Sequence, residues 1–270
     1  MSFGTVADDY DRLRPPPPDT AVDWLLPAAC QVAVDLGAGT GLLSRALARR
    51  VARVVAVEPD DRMAAVLRAG SAGAGGTAAG GTAADGTAAG EIEVAPGRGE
   101  AIPMPDASAD AVFVSSAWQW MDPRLTTAEV ARVLRDGGRF GLIWTGRDRE
   151  VRWVRELDAL REPRQDDLQD DLQDDTERRP GRPWGAPAEL PDDLFGPVQI
   201  ASFAFTRKMT VSDVVAMLAT YSGLITASPE DAAEALARAR VALDQRFPGA
   251  EEIDVPMRSR CFRADRLSRS

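Results

Sequence analysis

The ten residues Val32-Ala33-Val34-Asp35-Leu36-Gly37-Ala38-Gly39-Thr40-Gly41 constrain the fold of this chain more than any other stretch. Alternating valines favour an extended strand, and Leu42-Leu43-Ser44-Arg45-Ala46-Leu47-Ala48 then restores the apolar spacing of a helix. Between them, glycine lets the backbone turn sharply and lets a ligand approach where a Cβ would collide. The N–H groups that open the following helix add a positive potential suited to a carboxylate or phosphate. The stretch reads as a cofactor loop between a buried strand and a helix.

Spacing narrows the ligand. A dinucleotide fingerprint, G-x-G-x-x-G/A, places its third small residue three positions after the second glycine. Here Gly37, Gly39 and Gly41 fall at every second position and Leu42 takes the place of that third residue, which disfavours a nicotinamide dinucleotide. The next strand, Arg53-Val54-Val55-Ala56-Val57, ends in Glu58, 23 residues after Asp35. A carboxylate there can accept hydrogen bonds from both hydroxyls of a ribose, so the order of elements fits a nucleoside.

Composition excludes several chemistries. The chain has no histidine, which removes imidazole bases, histidine-containing triads and histidine metal sites. Cys30 and Cys261 lie far apart without metal-ligand spacing, so no metal is expected. Lys208 is the only lysine, and its strand-like surroundings from Phe203 to Thr210 predict an ordinary solvated side chain. A net charge of −10 with arginines scattered among acids argues against a nucleic-acid surface, which needs a concentrated basic face. Acids near the N-terminus do not fit a secretory signal and no apolar run is long enough to span a membrane, so a reduced, cytoplasmic protein is expected.

Across the 270 residues, strands and helices alternate. Strands are predicted at Glu91–Val94, Asp110–Val114, Phe140–Trp144, Val198–Thr206 and Val255–Arg263, and helices near Val211–Ala219 and Pro229–Phe247. Ser228 and Pro229 supply an N-cap and first helical residue. Thr126-x-x-Glu129 reads as a capping box opening a helix to Leu134, with Gly137-Gly138 turning it into the next strand. Asp106 and Asp110 read as turn and strand-end residues. The alternation predicts one α/β domain with a Rossmann-like, doubly wound, mostly parallel sheet and helices on both faces. Two low-complexity stretches interrupt it. Gly70–Gly90, carrying Gly-Thr-Ala-Ala three times, lacks large apolar residues and is expected outside the core; residues from about 163 to 185, with their repeated Asp-Asp-Leu-Gln unit, are expected as a solvated acidic loop.

With these motifs in hand, the chain resembles the class I S-adenosylmethionine-dependent methyltransferases, in the group with a type-11 methyltransferase domain. The resemblance runs from the Asp35–Gly41 loop through Val55-Ala56-Val57-Glu58-Pro59-Asp60 with Met63, Gly99-Glu100-Ala101-Ile102-Pro103-Met104-Pro105-Asp106, Ala117-Trp118-Gln119-Trp120-Met121-Asp122 and Glu129–Phe140. It implies seven strands with the last antiparallel, residues 1–30 as an N-terminal lid segment, and 31–270 as the methyltransferase domain. It implies S-adenosylmethionine as cofactor. Gly37, Ala38, Gly39 and Gly41 would shape the loop under the methionine and ribose parts, Asp35 would support the methionine amino end and Glu58 the ribose. Met63 would pack on adenine or serve as a core methionine; Glu100 and Ala101 match the adenine-edge position, with a plain turn as the alternative.

On the acceptor side, Ala117 and Trp118 follow the fourth strand at the carboxyl edge, where open α/β sheets bind ligands. Trp118 and Trp120 form either an apolar substrate wall or packing tryptophans. The family often has histidine between them; Gln119 stands here, and glutamine orients a substrate but is a poor base. Ala7-Asp8-Asp9-Tyr10-Asp11-Arg12-Leu13-Arg14-Pro15 resembles a lid, with Tyr10 and Arg14 as substrate-side candidates, although Pro17-Pro18 replaces the family's tyrosine-proline pair. The sequence leaves the catalytic residue open: Tyr10 and Gln119 are candidates, and deprotonation falls to a carboxylate, Tyr10 or water, or is not needed where the acceptor is already ionised. The expected activity is methyl transfer to a small-molecule O, N or C nucleophile, without nucleic-acid or membrane partners. The alternatives are a donor-binding protein without catalysis and a methyltransferase acting on protein or RNA. The sequence leaves oligomeric state open.

Overall fold

A computed structural model describes residues 11–75, 90–160, 190–225 and 227–268. Seven strands, β1 (Val32–Leu36), β2 (Arg53–Val57), β3 (Glu91–Ala95), β4 (Ala109–Ser115), β5 (Leu134–Arg147), β6 (Gln199–Met209) and β7 (Ile253–Asp265), form one sheet in the order β3-β2-β1-β4-β5-β7-β6. β1 pairs in parallel with β2 and β4, with Val34 opposite Val55 and Val112. β7 is antiparallel to both β5 and β6, as the resemblance implied. Central β1 and β4 are almost wholly buried, which is why their sequences are continuous apolar runs, whereas edge strand β6 alternates exposed and half-buried residues.

Helices α1 (Asp19–Leu25), α2 (Leu42–Ala48), α3 (Asp61–Gly75), α4 (Pro123–Val133), α5 (Arg152–Ala159), α6 (Val211–Ala219), α7 (Ser222–Ile225) and α8 (Pro229–Arg246) surround the sheet. One apolar cluster packs α4 through Val130 and Ala131 on Val34, Val112 and Phe140; another packs α1 and α2 through Leu25 and Leu47 on Ala33 and Phe113. A third gathers Leu13, Leu157, Met209, Val214, Leu243 and Met257, tying the N-terminal segment to the helices that follow β5.

Three local expectations change. The helix expected from Thr126 starts at Pro123 instead, with Asp122 as N-cap accepting from Leu125 N at 2.9 Å, because proline at the first helical position and an acid before it make a stronger start. Thr126 is buried inside α4, and Glu129 accepts from Ile102 N at 2.9 Å rather than capping its own helix. Gly137-Gly138 does not turn helix into strand: β5 begins at Leu134, and the shift of its register on β4 between Ala109 and Ala111 makes the pair part of a bulge.

The third change concerns Gly70, where an insertion was expected. α3 continues through Gly70 to Gly75, with Ser71 Oγ donating to Leu67 O at 2.8 Å, so the helix carries on up to the residue before the first repeat. The stretch 76–89 lies outside the described residues, as do the acidic repeat within 161–189 and Tyr10. At Gly90 the chain is again part of the fold: its N–H donates to Ala48 O at 2.7 Å, and an added Cβ would stand 1.9 Å from Val51 O. Gly90→Ala is therefore expected to force a main-chain shift and lower stability by about 1–3 kcal/mol, read from the midpoint of urea unfolding. An unchanged midpoint would show that the backbone yields there without loss.

Candidate functional site

The alternating glycines sit at the carboxyl end of β1, where the chain must leave the sheet and enter α2. Gly37 has φ of +71°, and an added Cβ would meet the Ala117 Cβ at 2.7 Å, so this position needs both left-handed backbone and the absence of a side chain. Its N–H and that of Ala38 donate to Val57 O at 2.8 and 3.1 Å. Nothing stands within 4 Å of a Cβ added at Gly39, so the loop's crest faces open space. Ser116, with φ of +53°, is a left-handed non-glycine residue at the end of β4 that turns Ala117 in against Gly37.

Two carboxylates frame this loop. Asp35 is fully buried; its Oδ2 accepts from Ser44 Oγ at 2.6 Å, while its Oδ1 has no hydrogen-bond partner among the described residues. Burial pushes its carboxyl up to about 7, the Ser44 hydroxyl opposing the shift and the charge of Glu58 adding to it. Thr40 Oγ1 is a second buried oxygen without a partner among the described residues. Glu58, at the end of β2, accepts from Gly39 N at 2.7 Å and from Asp60 N at 2.9 Å. Its carboxyl is also raised, by burial, with those two N–H groups pulling the other way.

The remaining expected residues divide. Met63 is buried in the first turn of α3, and Ala117 lies half-buried against the glycine loop. Glu100 turns its Oε1 to Asp122 N at 2.8 Å, bracing the start of α4, and Ala101 is exposed in a tight bridge with Arg98. Trp118 is a packing tryptophan: it is buried in the core with its ring centroid 5.6 Å from that of Phe140, so it does not line an open acceptor wall. Trp120 is 64% exposed. Gln119 is exposed and donates its Nε2 to Ser116 O at 3.0 Å, an interaction within its own turn.

Residues 11–14 link the glycine loop to Thr220 and β6. Arg45, on α2, donates to Thr40 O at 2.7 Å and to Asp11 Oδ1 at 2.5 Å, linking the glycine loop to that segment. Arg14 donates to Thr220 Oγ1 at 3.0 Å and Thr220 O at 2.8 Å, and its guanidinium carbon lies 3.6 Å from the Tyr221 ring centroid. Arg12 pairs with Asp213, and Arg207 donates to Leu13 O and Arg12 O. Ser44, Thr40, Arg45, Ser116 and Tyr221 were missed by sequence reasoning. Only Ser44, on the first turns of a helix that follows the acid-glycine loop, had a local signal.

Residues 34–142 match the family model described as a methyltransferase domain. The chain is 35% identical over 266 residues to an uncharacterized methyltransferase of Mycobacterium tuberculosis, covering 98% of this chain and 95% of that one. An uncharacterized methyltransferase-like protein of Schizosaccharomyces pombe is 25% identical over 238 residues, covering 86% of this chain and 82% of its own length. In fold, the chain matches a structure assigned as a type II methyltransferase from Anaeromyxobacter dehalogenans, with a TM-score of 0.61 at 23% identity over 95% of this chain and 99% of the other. The 35% identity to a methyltransferase over nearly the whole chain, the methyltransferase domain match and the shared fold make the chain a member of the class I S-adenosylmethionine-dependent methyltransferases, with S-adenosylmethionine as its methyl donor.

Proposed function

We propose that the chain transfers the donor's methyl group to a small-molecule oxygen, nitrogen or carbon nucleophile. The observation that carries this reading is the tethering of the N-terminal segment beside the glycine loop. Residues 11–14 are bound to α2 through Arg45, to residue 220 through Arg14 and to β6 through Arg207, which supports a lid that would enclose a small acceptor. Arginines over this region pair with neighbouring acids or carbonyls, and no basic track for a nucleic acid is formed by the described residues.

The donor fits the loop by its unmet polar atoms. Asp35 Oδ1 and Thr40 Oγ1 are buried oxygens without a hydrogen-bond donor among the described residues, and an ammonium group supplies donors of the right charge. In this reading Asp35 holds the methionine amino end, Glu58 the ribose hydroxyls and Met63 the adenine face; Gly37, Ala38, Gly39, Gly41 and Ala117 form the bed, and Glu100 with Ala101 lies at the adenine edge. The bound donor supplies a methyl group already activated by its sulfonium charge. The chain's residues therefore act by orientation and by excluding water, and Gln119, engaged with Ser116 O, is assigned no proton transfer.

Incubation of the full chain with methyl-labelled donor and fractionated cell extract tests the reading. Label is expected in the small-metabolite fraction. Label confined to protein or RNA would overturn it, as would firm donor binding with no transfer to any fraction.

A further inference from the structure

A buried guanidinium lies at the end of β5. The Arg147 side chain is 1% exposed, and its Nη2 donates to Asp158 Oδ1 on α5. Its Nε and Nη1 are buried and have no hydrogen-bond partner among the described residues. A guanidinium carries five N–H donors and keeps its charge at any physiological pH, so it cannot escape burial by losing a proton. Asp158 is shared, since Arg149 Nε donates to its other oxygen at 2.6 Å. Buried donors left dry destabilise the chain, and a ligand oxygen would offset that loss.

The position of Arg147 ties it to the reaction. Asp35 lies opposite Phe113 and Phe113 opposite Gly141, so alternation along β5 puts residues 141, 143, 145 and 147 on the sheet face that carries Asp35. Arg147 therefore stands on that face, beyond the carboxyl end of β4. Its guanidinium carbon is 4.7 Å from the Tyr221 ring centroid, the same ring that Arg14 covers at 3.6 Å. Arg14 is one helical turn from Asp11, which Arg45 joins to the glycine loop.

We propose that Arg147, with Arg14 and Tyr221, binds an oxyanion of the methyl acceptor, so that the acceptor is a small molecule bearing a carboxylate or phosphate. This rests on the small-acceptor reading and names its chemical class. An aromatic ring faced by two guanidiniums, one of them with unmet donors, recognises a planar or tetrahedral anion by charge and direction while leaving the nucleophile to be set by the rest of the acceptor.

The test is calorimetric titration of the full chain, saturated with S-adenosylhomocysteine, using succinate, inorganic phosphate and neutral succinamide. Saturable binding of succinate, phosphate or both is expected in the millimolar range, with none for succinamide; which anion binds identifies the source of the oxyanion. Arg147→Lys keeps a cation facing Asp158 but loses the guanidinium fork, and is expected to weaken anion binding at least about tenfold while the affinity for S-adenosylhomocysteine stays at the parental level. Arg14→Gln is expected to lower anion affinity in the same direction, and it decides the matter should Arg147→Lys fail to fold. Anion affinity at the parental level in folded variants, no saturable anion binding by the parent, or equal binding of succinamide would overturn the proposal while leaving the donor reading intact. Failure of the parent to bind S-adenosylhomocysteine would instead remove the donor reading, and this proposal with it.

Discussion

Glu58→Ala is expected to weaken binding of S-adenosylhomocysteine by more than about tenfold, and by more than the loss of ribose contacts alone would give. A charge-assisted hydrogen bond contributes roughly 1.5–3 kcal/mol, and each 1.4 kcal/mol is a factor of ten. The same carboxylate also accepts from Gly39 N and Asp60 N, so alanine leaves the crest of the glycine loop and the entry to α3 without their acceptor. Glu58→Gln retains the size but turns an amide N–H toward one of those two donors, and is expected to fall between parent and alanine variant. Calorimetry with the product and with NAD measures both. Glu129 is no control for this experiment, because it accepts from Ile102 N and holds Arg132, which in turn donates to Met104 O and Ile102 O. Glu156→Ala, in an exposed pair with Arg152, is the suitable one and should leave affinity alone. Parental affinity in a folded Glu58→Ala variant, or preference of the parent for NAD, would refute the assignment.

Asp35→Asn is expected to have the second large effect, and to show it as a lost pH dependence. Burial pushes the Asp35 carboxyl from its ordinary value of 3.8 up to about 7 in the folded chain. A group whose folded pKa lies above its unfolded one stabilises the fold fully below the unfolded value and loses that contribution as pH rises through the folded one. The parent should therefore lose this share of its stability between about pH 4 and pH 7, and Asp35→Asn should not. An ammonium on the ligand favours the ionised carboxylate, so product affinity is expected to rise with pH up to about 7 and binding near neutrality to release a proton. In Asp35→Asn, affinity above that range should drop by roughly tenfold or more and its slope with pH should vanish. Titrations in two buffers of different ionisation enthalpy read the proton directly; equal heats in both would contradict the role given to Asp35. The thiols do not confuse this window, since burial pushes both Cys30 and Cys261 up to about 12.

Local order in the sequence determined the parts of the protein that local forces make. Val32–Leu36 formed a strand because its apolar run is buried on both sides, Gly37 was required where the backbone turns left-handed against Ala117, and Ser228-Pro229 opened α8 with Ser228 Oγ accepting from Asp231 N. The place of Glu58 was legible because the residue that directly follows a strand leaves the sheet at its carboxyl edge. The antiparallel place of β7 came from family resemblance, since its pairing with β5 joins residues more than a hundred positions apart and no spacing records it. The tertiary structure alone decided which side chains met: Glu129 on the loop after β3, Trp118 on Phe140, Arg45 between Thr40 and Asp11, and Arg14 with Arg147 about Tyr221. Periodicity fixes the face a residue occupies within its own element. The partner on that face is set by packing of elements distant in sequence, where closing the intervening loop carries an entropy that grows only slowly with its length and so leaves little trace in local pattern.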